Sequence, residues 1–314
     1  MYPVWAVVIA TYNRLGLLRN LLESIQNSSV KPNQVIIVSA GDPIEKSLIE
    51  FKNIKLIHKI SDIANQSYQK KLGISLLNNE IDWVLFLDDD LLLDVNCIKN
   101  LFEFIDSSQN KTTQKKCIGV GLSLPIINSD FANYKYIKWF GKLFKLTSSK
   151  PGVVLTSGQA ISYLGSNYPI RTNWLNGASI WRKEFAQQYG KNLMFSKYSA
   201  YEDVIFSYEM GKLGELWFNP TAKVYFQEGT VTNYLNYEVQ LISLVWKYYF
   251  VTQHRELSRL FLFWSQIGRS LYYLTQLRKI ELKERISILF LPLQILKFVL
   301  FKTNLKTYLN TVSK

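Results

Sequence analysis

The stretch Trp83–Asp94, "WVLFLDDDLLLD", decides the fold. Its first five residues form an apolar run of strand length, and three consecutive aspartates stop it. Adjacent carboxylates repel each other, so this cluster indicates a positively charged ligand. We expect Mn²⁺ or Mg²⁺, which take one or two carboxylates together with substrate phosphates. Asp88 and Asp90 can face the same side of the turn, whereas Asp89 would face a ribose or solvent. The alternative is a solvated acidic turn in which Asp90 or Asp94 caps the next helix.

Strands and helices alternate on the N-terminal side of this stretch. Near-continuous apolar strands are predicted at Val4–Ala10, Gln34–Asp42 and Ile54–Ile60. Helices are predicted at Arg14–Gln26, Pro43–Phe51 and Ile63–Asn79. This order predicts an α/β fold whose mainly parallel, Rossmann-like sheet is flanked by helices.

Polar clusters follow the strands of this predicted sheet. "TYNR" follows the first strand, "SAGD" ends the second, and "DDD" follows the fourth. Ligands of such sheets bind outside the carboxyl ends of the strands, so the three clusters predict one pocket.

The pattern is less regular after residue 116. A strand is predicted from Cys117, irregular structure or an inserted hairpin over Asp130–Gln159, and another strand over Ala222–Phe226. A helix is predicted over Tyr201–Gly214, with two acids in its first turn.

Two further motifs could carry chemistry. One of the acids Glu202 and Asp203 could act as a general base, although acids at a helix start are also favoured by the helix dipole. The side chains of Gln69, Lys70 and Lys71 could point at a diphosphate, or could form a solvated helix face.

Composition limits the class of protein. The 314 residues include 48% apolar residues and carry a net charge of +13, which indicates a folded chain with an anionic partner. Two cysteines, Cys97 and Cys117, favour a reducing compartment without excluding a disulfide between them. No secretory signal is visible, so we expect a cytoplasmic location. His58 and His254 are too few for a zinc cluster, and no Gly-rich dinucleotide motif or P-loop is present.

The segment 231–314 differs in character from the rest. It holds twelve basic and four acidic residues among many Leu, Phe, Tyr and Trp. We expect basic amphipathic helices lying on the cytoplasmic face of a membrane, or alternatively a helical subdomain packed on the sheet or a homodimer face. The predicted division is a catalytic domain over 1–230, with a donor half at about 1–115 and an acceptor half at about 116–230, followed by 231–314.

The motifs in this order resemble family 2 glycosyltransferases of the GT-A fold, over roughly residues 4–227. The motifs are "VVIATYNR", "VIIVSAGD", "QKKLGI", "VLFLDDD", "WLNGASIWRKE", "YEDVIFSYEMGKLG" and "FNPTAKVYF". The resemblance implies an inverting transfer, of hexosyl or rhamnosyl type, from a nucleotide-diphosphate sugar to a hydroxyl. The acceptor would be a saccharide, lipid-linked if the basic tail lies on a membrane, as in bacterial surface polysaccharide synthesis.

The resemblance also implies roles for individual residues. Asp203 would be the catalytic base, Glu202 would hold the acceptor, and Asp90 would ligate the metal with support from Asp88. The donor-binding set would be Thr11, Tyr12, Arg14, Ser39, Asp42, Lys70, Asp88, Asp89, Asn176 and Gly177.

Two departures from the family pattern matter. Ser39 stands where an Asp commonly contacts the base, with Asp42 three residues later, so the donor base stays open. Phe226 and Gln227 stand where many members have a metal-ligating His, which leaves the aspartates, water and phosphate to hold the metal.

Two other classes are weighed against this one. A nucleotidyltransferase can share the sheet and the acidic site, but "ATYNRLG" lacks its Gly-rich basic loop. A non-catalytic membrane-binding or nucleic-acid-binding protein fits the charge, but the clustered aspartates would repel nucleic acid.

Overall fold

The computed structural model describes residues 2–109, 116–125, 135–191, 199–228, 237–275 and 282–312. The strands are β1 (Trp5–Tyr12), β2 (Gln34–Ala40), β3 (Leu56–Ile60), β4 (Trp83–Asp88), β5 (Leu91–Leu93), β6 (Cys117–Ser123), β7 (Ile170–Thr172), β8 (Ser179–Arg182) and β9 (Glu215–Phe226). The helices are α1 (Leu15–Asn27), α2 (Glu45–Leu48), α3 (Gln66–Ile74), α4 (Cys97–Gln109), α5 (Lys135–Leu143), α6 (Lys183–Ala186), α7 (Glu202–Met210), α8 (Tyr237–Gln253), α9 (Arg259–Thr275), α10 (Leu282–Leu289), α11 (Leu291–Leu300) and α12 (Leu305–Val312).

The chain packs as two units. The first contains residues 1–126, 163–195 and 206–231, and the second contains residues 127–162, 196–205 and 232–314. The predicted division at residue 230 differs from this one because two internal segments group with the C-terminal helices.

All the described strands belong to the first unit and form one mixed sheet in the order β3-β2-β1-β4-β8-β6-β9-β5, with β7 on β9. The first four strands in this order are parallel, as predicted from their unbroken apolar runs. The strand β8 joins antiparallel to β4 and β6, and β6 pairs parallel with β9. The predicted α/β fold is confirmed.

Helices cover both faces of the sheet. The apolar sides of α1 and α4 pack on one face, where Val7, Ile9 and Leu85 are fully buried. Helix α3 lies on the other face and approaches closely at Gly73, where a Cβ would come within 2.6 Å of a Val8 methyl group. Successive strand residues point to opposite faces, so a sheet covered on both sides needs unbroken apolar strands.

The second unit is built from α5, α8–α12 and the loop before residue 163. The rings of Phe144 and Trp264 stack at 4.7 Å, and Gly268 lets α9 approach Phe144, since a Cβ there would come within 2.2 Å. Trp246 and Phe250 of α8 are fully buried. The predicted hairpin region contains α5 and a single bridge between Val154 and Ala160, while residues 126–134 lie outside the described residues.

The apolar run over residues 286–301 divides into α10 and α11, because Pro292 stands at the start of α11. Among the described residues, no helix is both long and apolar enough to cross a bilayer.

Candidate active site

The turns after β1 and β2 lie against each other. Asn13 has a left-handed backbone, with φ of 52°, and its Oδ1 accepts the backbone N–H of Asp42 at 2.7 Å. Gly41, with φ of 87°, leaves no room for a side chain, since a Cβ would lie 1.9 Å from that Asn13 oxygen. The neighbouring Tyr12 is 54% exposed. The predicted cluster of polar strand ends is therefore present, with Tyr12 and Asp42 open to solvent.

Ser39 is buried at the end of β2 rather than open to a ligand. Its hydroxyl lies 2.7 Å from Nε2 of His58 on the adjacent β3. Burial lowers the pKa of His58, although the Glu45 carboxylate, 3.6 Å from Nδ1, acts in the opposite direction. The donor role predicted for Ser39 stays a prediction, and its hydroxyl is already engaged by His58.

Asp89 differs from the expectation that it faces a ribose or solvent. It is 5% exposed, its Oδ2 accepts the Thr11 hydroxyl at 2.7 Å, and its Oδ1 pairs with Arg14 at 3.3 Å. Burial raises the pKa of Asp89, which the Thr11 hydrogen bond and then the Arg14 charge oppose. Asp89 thus joins the end of β1 to the acidic turn from within.

Asp88 is held by helix α3. Its Oδ1 accepts Nζ of Lys70 at 2.8 Å and also the side-chain amide of Gln66. Lys70 is 2% exposed, so its ammonium faces Asp88. The predicted contact of Lys70 with donor phosphates stays a prediction.

The neighbours of Lys70 on α3 do not point at one pocket as a group. Gln69 is buried and donates to the backbone carbonyls of Thr11 and Val38 at 2.8 Å. The expectation that it points at a diphosphate is wrong, because its amide fastens α3 to β1 and β2. The stem of Lys71 packs at Gly190, where a Cβ would come within 2.9 Å of it.

Among the described residues, Asp90 differs from its two neighbours in having no side-chain hydrogen bond or ion pair. Within the described residues, no hydrogen bond or ion pair joins its carboxylate to another residue. Burial, followed by repulsion from Asp88 and Asp89, raises the pKa of Asp90 to about 6. A nearby cation would favour the ionised form of this carboxylate and offset the repulsion from its neighbours.

Gln227 holds the backbone around Asp90. Its side-chain amide donates to the carbonyls of Leu17 at 2.9 Å and Asp89 at 3.1 Å, and its backbone N–H donates to the Asp90 carbonyl at 2.9 Å. Asn20 donates to Gln227 Oε1 at 2.9 Å. Gln227, one of the two residues that stand near the position expected for a metal-ligating His, is therefore 6% exposed and fixes the turn.

The segment Asn176–Gly177 lies beside Asp88. A Cβ on Gly177 would come within 3.2 Å of Asp88 Oδ2 and 3.9 Å of Lys70 Nζ, so a side chain there would crowd that oxygen. Asn176 donates its backbone N–H to the Tyr163 hydroxyl at 2.7 Å. Its buried Oδ1 accepts no hydrogen bond from the described residues.

Glu202 and Asp203 stand in the first turn of helix α7, as predicted, and both belong to the second unit, whereas α7 from residue 206 onward belongs to the first. Glu202 is 8% exposed, and Asp203 Oδ1 accepts the N–H of Val204 at 2.7 Å. A helix N-terminus favours the ionised form of a carboxylate. The residue before them, Tyr201, has φ of 68°, an uncommon backbone for a residue other than glycine.

The donor set of the acidic turn fits a hard cation with an incomplete protein shell. Oxygen ligands are available on Asp90 and on Oδ2 of Asp88, which faces Gly177 rather than a hydrogen-bond donor. In the described part of the chain, no three or more His, Cys, Asp or Glu residues gather as a metal site. Phosphate and water would complete the coordination, as is usual for Mg²⁺.

Sequence reasoning missed Asn13, Asn20, Gln66 and Gln227 as residues that shape the site. Asn13 carried a signal, because Asn tolerates the left-handed backbone of a tight turn. The amides of Asn20, Gln66 and Gln227 carried none, since their partners come from distant parts of the chain.

The sequence of residues 6–114 matches the model of Glycosyl transferase family 2. A segment of 98 residues is 29% identical to the O-antigen chain rhamnosyltransferase RfbN of Salmonella typhimurium strain LT2. This segment covers 30% of the chain and spans only 31% of that relative.

Solved structures share the fold over most of the chain. S. aureus TarS 1–349, in complex with UDP-GlcNAc, has a TM-score of 0.54 at 12% identity, with 93% of this chain and 81% of that chain covered. The mannosyltransferase PcManGT from Pyrobaculum calidifontis, in complex with GDP-Man and Mn²⁺, has a TM-score of 0.55 at 10% identity, with 99% and 84% covered. At this identity the likeness concerns the fold alone. The family match over residues 6–114 confirms that the chain resembles the family 2 glycosyltransferases.

Proposed function

We propose that this chain transfers a sugar from a nucleotide-diphosphate sugar to a hydroxyl of a saccharide acceptor, with inversion and with the help of a divalent cation. The observation that carries the proposal is the carboxylate of Asp90. It lies two residues after β4, in the segment that matches family 2, and is half-buried without a side-chain partner among the described residues. An acid turn that served only to cap a helix would leave such a carboxylate solvated.

The solved neighbours support the class of donor. One was solved in complex with UDP-GlcNAc and another in complex with GDP-Man and Mn²⁺, so both kinds of nucleotide sugar suit this fold. The curated relative is a rhamnosyltransferase, which keeps a rhamnosyl or hexosyl donor as the proposal for this chain.

Asp90 and Oδ2 of Asp88 would hold Mn²⁺ or Mg²⁺. When bound, such a cation supplies positive charge against the leaving diphosphate. Lys70 positions Asp88 through the buried ion pair, and Gln227 fixes the backbone of the turn. These two residues therefore act on the site by orienting its carboxylates.

Several residues would bind the donor directly. Tyr12 and Asp42 are exposed at the ends of β1 and β2, where the nucleotide would lie, and Arg14 is 55% exposed despite its pairing with Asp89. Asn176 and Gly177 would border the donor sugar, with the buried Oδ1 of Asn176 still able to accept a hydrogen bond.

Asp203 would take the proton of the acceptor hydroxyl as that oxygen attacks the anomeric carbon. Glu202 would orient the acceptor. The support for both roles is their position in the "YED" motif and in the first turn of α7, where the helix dipole favours negatively charged side chains.

The second unit favours an acceptor on a lipid. It contains eighteen basic and seven acidic residues, so +11 of the net charge of +13 lies there. Its helices also expose large apolar residues, among them Phe290, Leu293, Leu300 and Phe301 on and around α11. Apolar residues beside basic ones are typical of helices that lie on an anionic membrane surface.

Flotation of the full chain with vesicles tests the membrane contact. We expect binding to phosphatidylglycerol-containing vesicles that is lost when Leu293, Leu300 and Phe301 are changed to Ser together. The matched control is Leu213→Ser, at a residue that is 63% exposed in the first unit. Equal flotation of the triple variant and the control would rule out this face of α11.

A donor panel tests the activity itself. The chain is incubated with UDP-, GDP- and dTDP-sugars, with Mn²⁺ or Mg²⁺, and release of the nucleoside diphosphate is measured. We expect release from one donor class that depends on the cation. Release of pyrophosphate instead would indicate a nucleotidyltransferase, and no reaction with any donor would contradict the proposal.

A further inference from the structure

Two cationic side chains of the second unit donate hydrogen bonds to the same uncharged amide oxygen. Lys247 of α8 donates to Gln159 Oε1 at 3.1 Å, and Arg269 of α9 donates to the same oxygen at 2.6 Å. All three residues belong to the same unit. Nothing in the proposed chemistry of the acidic turn uses them.

Among the residues that the structure describes, this pair of cations has no counter-ion. Lys247 is only 8% exposed, and in the part of the chain that the structure describes neither Lys247 nor Arg269 pairs with a carboxylate. The other contact of the ammonium is the ring of Tyr201, at 5.2 Å from its centroid. Burial, followed by repulsion from Arg269, lowers the pKa of Lys247 well below its usual value. Buried charges are normally paired, so this arrangement is costly unless an anion joins it.

The oxygen that both cations share is held in place by the backbone. Gln159 follows Gly158, which has φ of 76°. A Cβ added to Gly158 would come within 2.6 Å of Val251 on α8. The Tyr201 hydroxyl donates to the Gly158 carbonyl at 2.6 Å and accepts the Ala160 N–H at 2.7 Å. The cluster is therefore a built feature of the unit, fixed on both sides of Gln159.

The same tyrosine connects the cluster to the acid pair. Tyr201 immediately precedes Glu202 and Asp203, and its left-handed backbone places its ring under Lys247 while α7 begins at the next residue. A ligand group held by Lys247 and Arg269 would thus lie in the unit that carries the proposed base for the acceptor hydroxyl. This points to the acceptor rather than the donor.

The chemistry of the two cations matches a phosphate group. A guanidinium offers a planar set of donors and an ammonium offers a point charge, and together they can neutralise a doubly charged phosphate. Helix α9, which carries Arg269, also exposes Leu260, Phe261 and Trp264. A ligand that combines a phosphate with an apolar chain would suit both features.

We infer that Lys247 and Arg269, arranged around Gln159, bind the phosphate or diphosphate that links the acceptor saccharide to its lipid. The inference rests on the proposed transfer reaction and names the acceptor's chemical class. The anion would displace the shared contact on Gln159 Oε1 and supply the counter-charge for both side chains.

Binding measured without any divalent cation tests this site apart from the acidic turn. The ligands are geranyl diphosphate, inorganic pyrophosphate and uncharged geraniol, titrated in EDTA against the full chain. We expect geranyl diphosphate to bind more tightly than pyrophosphate, and geraniol to bind weakly. Lys247→Met and Arg269→Gln should each weaken diphosphate binding about tenfold, since each removes one charge-assisted contact.

Matched controls separate this site from general attraction to a basic protein. Arg259→Gln is the control for Arg269→Gln, because it removes one positive charge from an exposed position on the same helix, α9. Lys302→Met is the control for Lys247→Met and lies at an exposed residue after α11. We expect these controls to bind as the wild type does. Arg269→Lys should retain part of the binding, and thermal unfolding of each variant checks that the unit folds.

Three results would count against the inference. Equal losses in the Lys247 and Arg269 variants and in the exposed controls, or no loss in any of them, would overturn the site. Pyrophosphate binding as tightly as geranyl diphosphate would support an anion site but overturn its assignment to a lipid ester. Nucleotide-sugar binding with Mn²⁺ is measured on the same samples, so failure of the donor reaction is recognised separately.

Discussion

Lys70 and Asp88 form an ion pair of 2.8 Å in which the lysine is 2% exposed and the aspartate 34% exposed. The pair fastens α3 to the carboxyl end of β4. Removing one partner or the other leaves a charge in a different environment. Removing the aspartate takes one carboxylate away from a buried ammonium, whereas removing the lysine leaves a carboxylate that water can still reach.

We therefore predict that Asp88→Asn destabilises the chain more than Lys70→Met does. Removing one partner of a buried ion pair, so that the other charge stays buried, lowers the free energy of unfolding by roughly 3–5 kcal/mol. Because Asp88 is partly exposed, we expect a loss at the lower end of this range. The double variant should recover part of the loss, because it buries no charge. Urea unfolding of the four proteins measures this, and strictly additive losses would show that the two side chains do not interact.

The Thr11 hydroxyl gives a second prediction. Thr11→Val keeps the shape of the side chain but removes the 2.7 Å hydrogen bond to Asp89, a carboxylate that is 5% exposed. We expect a loss of about 1–3 kcal/mol in the free energy of unfolding. Thr11→Ser retains the hydroxyl and serves as the control. A valine variant as stable as the serine variant would mean that Arg14 alone suffices for Asp89.

His58 should make stability depend on pH. Its pKa is lowered in the folded chain by burial, so the unfolded chain binds more protons in mildly acidic solution. Its contribution is fully present above the unfolded pKa of about 6.5 and is lost as pH falls through the lower, folded value. The difference in unfolding free energy between the wild type and His58→Gln should therefore shrink as pH is lowered from neutral. A difference independent of pH would contradict this.

Asp203→Asn should abolish turnover while donor binding persists, because an amide cannot accept the acceptor's proton. Turnover is followed by release of nucleoside diphosphate in the presence of an acceptor, and donor binding by calorimetry. Asp106→Asn, an exposed position on α4, is the control for the same chemical change. Transfer at the wild-type rate in Asp203→Asn would remove the residue from its proposed role.

The parallel half of the sheet could be predicted because the pattern of each strand is visible in its own short stretch of sequence. Strands β1, β2 and β4 are unbroken apolar runs with helical periodicity between them, and burial on both faces requires that pattern. The antiparallel part was not predictable in the same way. The strand β8 has four residues, and its place between β4 and β6 depends on pairing with strands far away in the chain.

The candidate site also combines features that the local sequence predicts with features that depend on distant contacts. The three aspartates stood out in the sequence as a group, but the contacts that distinguish them come from other parts of the chain. The partners of Asp89 are 75 and 78 positions away, and the lysine that pairs with Asp88 is 18 positions away. Gln227 reaches the Asp89 carbonyl across 138 positions. Only packing reveals that Asp89 is an internal support, that Asp88 is paired with Lys70, and that Asp90 has its carboxylate available.

Nucleoside diphosphate release by Asp90→Asn tests the central claim most directly. The wild type, Asp90→Asn and the control Asp106→Asn are compared with the active donor at a series of Mn²⁺ concentrations. We predict metal-dependent release by the wild type and the control, and a loss of at least about a hundredfold in Asp90→Asn, in line with removal of a group that stabilises transition-state charge. Release by Asp90→Asn at the wild-type rate and with the same metal dependence would contradict the account.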